Sequence, residues 1–281
     1  MDYVELFIEY QKKNKKSINT IDSYKRDIIQ FLNYIKKDIK SVDSRDVDLF
    51  IESLQNKTGR NGQPISIKSI NRKLVSINRF IMFLNNEFDL KVSIKANLLK
   101  QHQQYFLDEM LSKNDFERIF RAADKYQDRR AKAIFYTLYY TGMRVSEMLQ
   151  LETEDIFEDV VSIKGKGEKY RDIFLPDKLK PILQEYLQVR IDNGNKLFTG
   201  TRGPINRQTV DSIIKHYAGL ARVKLSKAHA HNFRHLYCIN LVDKGLSIDT
   251  IADLAGHSSI NTTRIYTRKT KRQLLQLINE I

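Results

Sequence analysis

Three short segments of the sequence concentrate side chains that could act on a phosphate ester. They are residues 141–147 (TGMRVSE), 231–235 (HNFRH) and 256–266 (GHSSINTTRIY). A phosphodiester under in-line attack spreads negative charge over its equatorial oxygens, and guanidinium groups hold such oxygens through paired hydrogen bonds. Arg144 and Arg234 are the candidate guanidinium groups. The segments therefore predict phosphoryl transfer.

Tyr266 ends the third segment and is the candidate nucleophile. A tyrosine hydroxyl has an ordinary pKa of about 10, so attack near neutral pH needs proton removal or a cationic pocket that favours the phenolate. Arg144, Arg234 and His231 could supply both. Taken alone, however, Tyr266 is one of 14 tyrosines, and a tyrosine on an amphipathic C-terminal helix is most often a packing residue. Both interpretations are open on this residue by itself.

Taken together, the segments resemble the sequence boxes of the tyrosine recombinases, the phage integrase family, and of its Xer-like members in particular. The stretch TGMRVSEMLQL resembles the first arginine box, HNFRH the His-x-x-Arg box, and LAGHSSINTTRIYT the segment with the last histidine and the nucleophilic tyrosine. Residues 163–171 (IKGKGEKYR) are similar to the family's β-hairpin, in which a lysine between two glycines reaches the cleavage point. The resemblance runs from about Asn19 to Thr267. It implies a catalytic set of Arg144, Lys166, His231, Arg234, His257 and Tyr266.

The resemblance also implies the course of the reaction, in which Tyr266 becomes joined to a DNA 3′-phosphate. Lys166 would donate a proton to the leaving 5′ oxygen, a role typically worth about 10²–10⁴ in rate, and His257 would donate to a phosphate oxygen. A phosphotyrosine conserves the phosphodiester bond, so a 5′ hydroxyl of another strand can attack it without nucleotide hydrolysis. The sequence contains no Gly-x-x-x-x-Gly-Lys-Ser/Thr loop, and we expect no cofactor.

Several neighbours of the catalytic set have polar side chains of their own. Glu147, three residues after Arg144, could pair with a basic side chain or cap a buried group, so we expect a structural role. His235 is interpreted as a residue that packs behind the catalytic ones, and His229 as a candidate phosphate contact. His231 and His235 stand four residues apart and could face one metal ion, but no neighbouring acid completes a metalloprotease motif. We therefore expect no metal site.

Residues 1–90 are predicted to form a small domain of four helices, which the resemblance identifies as a SAM-like core-binding domain. Ser17 is a candidate N-cap, and residues 59–64 (GRNGQP) form a polar break before the last helix. Apolar residues recur along the helices at three- and four-residue intervals. They are Val4, Phe7, Ile8, Ile21, Tyr24, Ile28, Phe31, Leu32, Ile35, Val47, Phe50, Ile51, Leu54, Ile70, Leu74, Ile77, Phe80 and Leu84.

The periodicity fades over residues 91–106, which indicates an interdomain linker. Residues 107–281 are predicted to form a mostly α-helical catalytic domain with a C-terminal tail helix. Its helices are interrupted once, where residues 160–163 and 170–174 flank a glycine-bearing turn, a pattern typical of an antiparallel β-hairpin. The expected fold class is mainly α, the architecture of the tyrosine recombinases.

The composition favours a nucleic-acid partner. A net charge of +14 and a pI of about 9.6 attract a polyanion such as double-stranded DNA. The sequence has neither a run of about 18 apolar residues nor a signal peptide, so we expect a cytoplasmic protein without a membrane span. The single cysteine, Cys238, fits a reducing compartment. Candidate phosphate contacts in the first domain are Lys15, Lys16, Lys25, Arg26, Lys68, Arg72, Lys73 and Arg79.

The tail after Tyr266 begins basic and ends in a short apolar stripe. In the family such a tail docks on a neighbouring subunit, which implies a homotetramer on paired DNA sites. Docking on its own domain is the alternative. The residues that would make either contact are Leu274, Leu275, Leu277 and Ile278.

The resemblance implies a site-specific DNA recombinase, and several biological roles fit the same residues. The length leaves no room for the additional arm-binding domain that many phage integrases carry, which favours an Xer-like resolvase of chromosome dimers. Integration or transposition of a mobile element is the alternative with the same chemistry. A type IB topoisomerase would use a similar site as a monomer. A catalytically inactive DNA-binding regulator is the rival of another class, and the intact catalytic set argues against it.

Overall fold

The computed structural model describes residues 2–59, 62–100, 110–165, 170–191, 194–257, 259–267 and 278–279. The chain divides into two compact units, Met1–Gln104 and Tyr105–Ile281. Each unit has a hydrophobic core of its own. No helix within the described ranges has both the length and the apolar character that crossing a membrane requires.

The described part of the first unit is the predicted bundle of four helices. These are α1 (Tyr3–Lys13), α2 (Ile18–Ile35), α3 (Ser44–Gln55) and α4 (Ile67–Phe88), with a 3₁₀ turn at Ile39–Ser41. Ser17 is the N-cap of α2, and its hydroxyl accepts a hydrogen bond from the Thr20 amide at 3.3 Å. In the core, Phe7 meets Phe80 edge to face with ring centres 5.5 Å apart, an arrangement that adds to the stabilisation from burial.

A buried carboxylate ties α2 to α4. Asp27 is 1% exposed and accepts hydrogen bonds from Arg72 at 2.6 and 2.9 Å, from Lys73 at 3.1 Å and from Ser76 at 2.8 Å. A buried charge is costly unless it is paired and hydrogen-bonded, and this network meets both conditions. It also fixes the directions of Arg72 and Lys73, which are two of the predicted phosphate contacts.

Three asparagines on α4 hold an extended segment against the first unit, and we call them the asparagine ladder. Each side-chain amide accepts from a backbone N–H and donates to the C=O of the same residue, at distances of 2.8–3.0 Å. Seven helical residues rise about 10 Å, and three or four extended residues span about 10–13 Å, so successive rungs stay in register. The pairs are Asn71 with Leu99, Asn78 with Ala96 and Asn85 with Val92.

The segment held by the ladder is the described half of the predicted linker. Val92, Ile94 and Ala96 alternate with exposed residues and are buried in the core of the first unit. The alternation is that of a strand, but the hydrogen-bond partners are side chains of a helix. Residues 91–100 therefore lie on the first unit.

The described part of the second unit is mostly helical, which confirms the predicted fold class. Its helices are α5 (Lys113–Lys125), α6 (Arg129–Thr141), α7 (Val145–Met148), α8 (Lys180–Leu187), α9 (Arg207–Leu220), α10 (Ala230–Asp243), α11 (Ile248–Ala255) and α12 (Ile260–Thr263), with a 3₁₀ turn at Glu154–Phe157. Helix α10 packs against α6, α9 and α11.

Two antiparallel strand pairs interrupt these helices. β1 (Val160–Lys164) pairs with β2 (Tyr170–Phe174), which is the predicted hairpin. β3 (Thr199–Gly200) pairs with β4 (Gly203–Pro204), so the expectation of a single interruption is wrong. A strand of two residues has no alternating pattern to detect, and its turn depends on Gly203, whose φ is +95°.

Helix α10 is buried on more than one side. Phe233 belongs to the main core of the second unit, whereas Cys238 belongs to a separate cluster that includes Tyr266. A helix that is apolar around its circumference lies inside a protein. The polar residues Arg234 and His235 of α10 are therefore buried as well, at 1% and 4% exposure.

We expect Asn78→Ala to release the middle rung of the asparagine ladder. A net hydrogen bond contributes about 0.5–1.5 kcal/mol, so the Ala96 amide should exchange with solvent deuterium roughly three- to tenfold faster. Hydrogen exchange of the full chain, resolved to single amides, measures this. Asn86→Ala, at an exposed position of the same helix, is the matched control. Unchanged protection of Ala96 in Asn78→Ala would contradict the ladder.

Candidate active site

The structure brings the predicted arginines, histidines and tyrosine together within the second unit. They lie at the ends of short elements and on the buried helix α10. Their positions are Arg144 at the N-cap of α7, His231 and Arg234 on α10, His257 after α11, and Tyr266 after α12. Lys166 lies outside the described residues.

A glycine turn positions Arg144. Helix α6 ends at Gly142, whose φ of +58° is in the left-handed region. A Cβ at this position would lie 2.2 Å from the ring of Tyr237, so the turn requires glycine. The Arg144 guanidinium donates to Glu147 at 2.7 Å and to the backbone oxygen of Gly256 at 3.3 Å. It therefore connects the first arginine segment to the loop that carries the last histidine.

Glu147 is the anion at the centre of this arrangement, and it is 1% exposed. Its carboxylate accepts from the Arg144 guanidinium at 2.7 Å, from the Arg144 amide at 2.8 Å and from Arg171 at 2.8 Å. Burial by itself raises the pKa of Glu147, but these hydrogen bonds and the charge of Arg171 together lower it below its usual value. The carboxylate therefore stays ionised and compensates part of the charge of both arginines.

Among the described residues of the site, Arg234 is the most deeply buried cation. Its Nη1 donates to the Gly142 carbonyl at 2.9 Å, while its Nη2 is buried and has no hydrogen-bond partner among the described residues. Burial, followed by the charges of Arg144 and Arg171, lowers the pKa of Arg234 to about 10, so it remains a cation at neutral pH. Buried polar groups are nearly always hydrogen-bonded. An anion bound at Nη2 of Arg234 would accept the hydrogen bond that this buried N–H group lacks.

Tyr266 lies against two histidines. Its ring centre is 5.4 Å from that of His235 and 6.4 Å from that of His257, and its hydroxyl is hydrogen-bonded to Nδ1 of His235. Tyr266 is 7% exposed. Burial, and then the neighbouring Cys238, raise the pKa of Tyr266 above its ordinary value, although the charge of Arg234 opposes this. The hydroxyl therefore keeps its proton at neutral pH until the reaction begins.

The histidines in contact with the Tyr266 ring are neutral. Burial, and then the charges of Arg234 and Arg144, lower the pKa of His257 to about 4. His257 Nδ1 and the Thr263 hydroxyl are 2.8 Å apart and hydrogen-bonded, which orients the ring. A neutral imidazole can donate at one nitrogen and accept at the other. No three His, Cys, Asp or Glu side chains are grouped as metal ligands in the described part of the chain.

The remaining predicted phosphate contacts are His229 and the cations of the first unit. His229 is the N-cap residue of α10 without a side-chain cap bond, and burial lowers its pKa. In the first unit, Lys25 is paired with Glu5, and Arg72 and Lys73 are paired with Asp27. The other candidates are exposed, and they are Lys15, Lys16, Arg26, Lys68 and Arg79. Their contact with phosphates stays a prediction.

Comparisons with known proteins cover both units. Residues 109–273 match the model of the phage integrase family, and residues 4–87 match that of the phage integrase N-terminal SAM-like domain. The tyrosine recombinase XerA of Pyrococcus furiosus is 31% identical over 288 residues, which cover 99% of this chain and 93% of XerA. The TnP I resolvase of Bacillus thuringiensis is 27% identical, with 98% of each chain covered.

The chain belongs to the phage integrase family, the tyrosine recombinases. The fold agrees with that of the XerH site-specific recombinase bound to its difH substrate, at a TM-score of 0.74 and 22% identity over 98% of this chain and 83% of XerH. The family and the enzyme class predicted from the three segments are confirmed. The individual roles of the site residues stay predictions.

Arg171 is a residue of this recombinase's site that the sequence analysis did not single out. It lies on β2 and donates to Glu147 at 2.8 Å and to the Leu254 carbonyl at 3.2 Å. Its guanidinium covers Gly256, where a Cβ would approach it to 2.4 Å. The sequence pattern could have indicated that Arg171 faces inwards, because side chains two residues apart on β2 lie on the same face and Ile173 is buried.

We expect Glu147→Gln to destabilise the recombinase by about 3–5 kcal/mol at neutral pH, because breaking a buried ion pair leaves uncompensated charges. The pKa of Glu147 is lowered from its ordinary 4.5, so the carboxylate contributes stability that is present above about pH 4.5 and is lost as the pH falls through the folded value. Thermal unfolding of both chains from pH 7 to pH 3 measures the difference.

The gap in unfolding temperature between wild type and Glu147→Gln should therefore narrow at acid pH. Glu185→Gln, at an exposed position on α8, is the control and should show no such gap. A gap that stays constant down to pH 3 would contradict the assignment of Glu147 as the compensating anion.

Proposed function

We propose that this recombinase cuts and rejoins DNA strands at a specific site through a 3′-phosphotyrosine intermediate on Tyr266. The observation that carries the proposal is the buried Nη2 of Arg234, which has no partner among the described residues. The charge of the same guanidinium acts on Tyr266. A phosphodiester oxygen is an anion that suits such a donor.

The proposed first step is an in-line displacement at phosphorus. Arg144 and Arg234 hold the equatorial oxygens and compensate the negative charge that develops on them. His231 and His257 donate further hydrogen bonds to the phosphate. The Tyr266 oxygen forms a bond to phosphorus, and the bond from phosphorus to the 5′ oxygen breaks. The tyrosine proton passes to a neighbouring base during this step, because the raised pKa of Tyr266 keeps the hydroxyl protonated until then.

The leaving 5′ oxygen must take up a proton, and we assign that role to Lys166. The assignment rests on the resemblance of residues 163–171 to the family's hairpin, and Lys166 itself lies outside the described residues. The reverse reaction uses the 5′ hydroxyl of another strand, which attacks the phosphotyrosine and releases Tyr266. No external energy source is needed, because one phosphoester bond replaces another.

Double-stranded DNA is the proposed partner. The net charge of +14 supports it, and the similarly folded XerH recombinase is bound to its difH substrate. In the first unit, Asp27 holds Arg72 and Lys73 in fixed directions, which lowers the entropy cost of a phosphate contact. Each phosphate that these cations neutralise should add about 0.9 to the log–log salt dependence of binding.

We further propose that four copies assemble on paired DNA sites through the C-terminal tail. The proposed contacts are Leu274, Leu275, Leu277 and Ile278, of which Ile278 is described and is 66% exposed. The other three lie outside the described residues. A closed ring of such contacts would give each subunit one donor and one acceptor surface.

The proposed biological role is Xer-like resolution of chromosome dimers in the cytoplasm. The relative XerA, at 31% identity, supports it. The TnP I resolvase, at 27% identity over almost the whole chain, is named for resolution without an Xer role. Integration or transposition of a mobile genetic element is the alternative role with the same chemistry. A type IB topoisomerase is distinguished by acting as a monomer, so a complex of two DNA sites with several protein copies on gel filtration argues against it. A regulator without activity is distinguished by forming no covalent adduct.

We expect the wild-type chain to form a denaturant-resistant adduct with DNA and Tyr266→Phe to form none. Radiolabelled fragments of genomic DNA from the source organism are incubated with protein, denatured in detergent and analysed by gel electrophoresis. Tyr126→Phe, at an exposed position after α5, is the control and should behave as wild type. Adducts of normal yield with Tyr266→Phe would show that another residue is the nucleophile.

Mapping the trapped adducts distinguishes the two biological roles. Sequencing of the covalently bound DNA should find one chromosomal site, and deleting that site should leave dimeric chromosomes after replication. Adducts confined to the ends of a mobile element would overturn the Xer-like role and support the alternative.

A further inference from the structure

His235 touches the atom that the proposed reaction uses as nucleophile. Its Nδ1 is hydrogen-bonded to the Tyr266 hydroxyl, and the two side chains are buried, at 4% and 7% exposure. The sequence by itself indicates only a packing role for His235, since the family resemblance implies His231 and His257 as the catalytic histidines. The tyrosine oxygen is therefore held by a histidine outside the predicted catalytic set.

The position of His235 is fixed by its helix and its neighbours. It follows Arg234 directly on α10, so the residue that holds the phosphate and the residue that holds the tyrosine share one rigid element. Its ring meets that of His231 at 73° with centres 4.3 Å apart. The groups that act on it electrostatically are His229, His231 and Arg234 from α10 and its cap, and His257 from the loop after α11.

The surroundings keep the imidazole of His235 neutral before DNA binds. Burial, and then the neighbouring His231, lower its pKa to about 3. A neutral imidazole has one acceptor nitrogen, and Tyr266 is a neutral phenol with a proton to give. With the ring proton of His235 on Nε2, Nδ1 is the acceptor, and the hydrogen bond can carry the tyrosine proton towards it.

We propose that His235 is a further catalytic residue, whose Nδ1 accepts the proton of the Tyr266 hydroxyl as that oxygen attacks phosphorus. The O–H bond of Tyr266 breaks, an N–H bond forms on His235, and the bond to the 5′ oxygen breaks as the bond from Tyr266 to phosphorus forms. The 5′ oxygen takes its proton from a separate donor. In the rejoining step the imidazolium returns its proton to the tyrosine oxygen. This inference rests on the proposed function of Tyr266.

Binding of the substrate makes His235 a better base. A phosphate anion held by Arg234 brings negative charge next to the ring, and a nearby negative charge favours the imidazolium. The phenol also becomes far more acidic as its oxygen bonds to phosphorus. Proton transfer is thus coupled to the presence of DNA, and the tyrosine stays protonated in its absence.

The test is single-turnover cleavage of a labelled, nicked form of the site on which wild type makes an adduct. We expect the wild-type rate to vary little between about pH 6 and 8.5, because His235 is present as the base throughout this range. His235→Ala should be slower by about 10²–10⁴ and should gain about tenfold per pH unit, because hydroxide must remove the proton. Added imidazole should restore part of the rate.

Two variants separate proton transfer from positioning. His235→Asn places a neutral acceptor at the position of Nδ1 but cannot take up a proton, so it should show the slow, pH-dependent rate of His235→Ala. His216→Ala, at an exposed position on α9, should match wild type. Far-UV circular dichroism and DNA binding on native gels establish that each variant is folded. If His235→Ala does not fold, the rate and pH profile of His235→Asn provide the same test.

The outcomes are distinct from those of the proposed function. Absence of a wild-type adduct on every DNA tested overturns the role of Tyr266 and, with it, this inference. A normal adduct with a wild-type rate and pH profile in His235→Ala overturns the inference alone. A faster rate in His235→Ala would mean that His235 restrains the tyrosine, and recovery of full activity in His235→Asn would mean that it only positions it. Either result also overturns the inference.

Discussion

Glu147 is one buried carboxylate that lies between the guanidinium groups of Arg144 and Arg171 and acts on the charge of Arg234. Three cations around one anion leave net positive charge in a largely buried region. Coulombic interactions are stronger there than at the surface, so the arrangement is tolerable only because each guanidinium is also held by backbone oxygens, from Gly142, Leu254 and Gly256. The fold of the second unit holds this charge in place, and an anionic substrate would balance it.

Two glycine turns allow the backbone to place these side chains close together. Gly142 and Gly256 both adopt left-handed backbone conformations, and each is covered by a side chain that a Cβ would displace, Tyr237 in one case and Arg171 in the other. The turns end α6 and α11 abruptly, so the residues after each turn are held in fixed positions. The histidine and arginine segments therefore meet through short, tightly packed loops, which suits a site that must keep its geometry before the substrate arrives.

The first unit uses buried polar groups for a similar purpose. Asp27 directs two cations of α4, and the asparagine ladder binds the segment of residues 92–99 by its backbone. In both cases polar side chains replace the usual partners, water or a neighbouring strand, and so satisfy hydrogen-bonding groups that burial would otherwise leave unpaired. The result is a helical unit whose cations and whose outgoing chain segment are held by specific bonds rather than by apolar packing alone.

The sequence by itself determined the four helices of the first unit, the mainly helical character of the second, the β1–β2 hairpin, the three segments of the site and the family. These depend on periodicity, caps and local spacing, which are properties of neighbouring residues. The tertiary structure alone decided that Arg171 completes the arginine cluster, that His235 bonds to Tyr266 across 31 residues of chain, and that Asn71 meets Leu99 across 28. Such contacts depend on how helices pack, and the distance along the chain carries no information about which faces will meet.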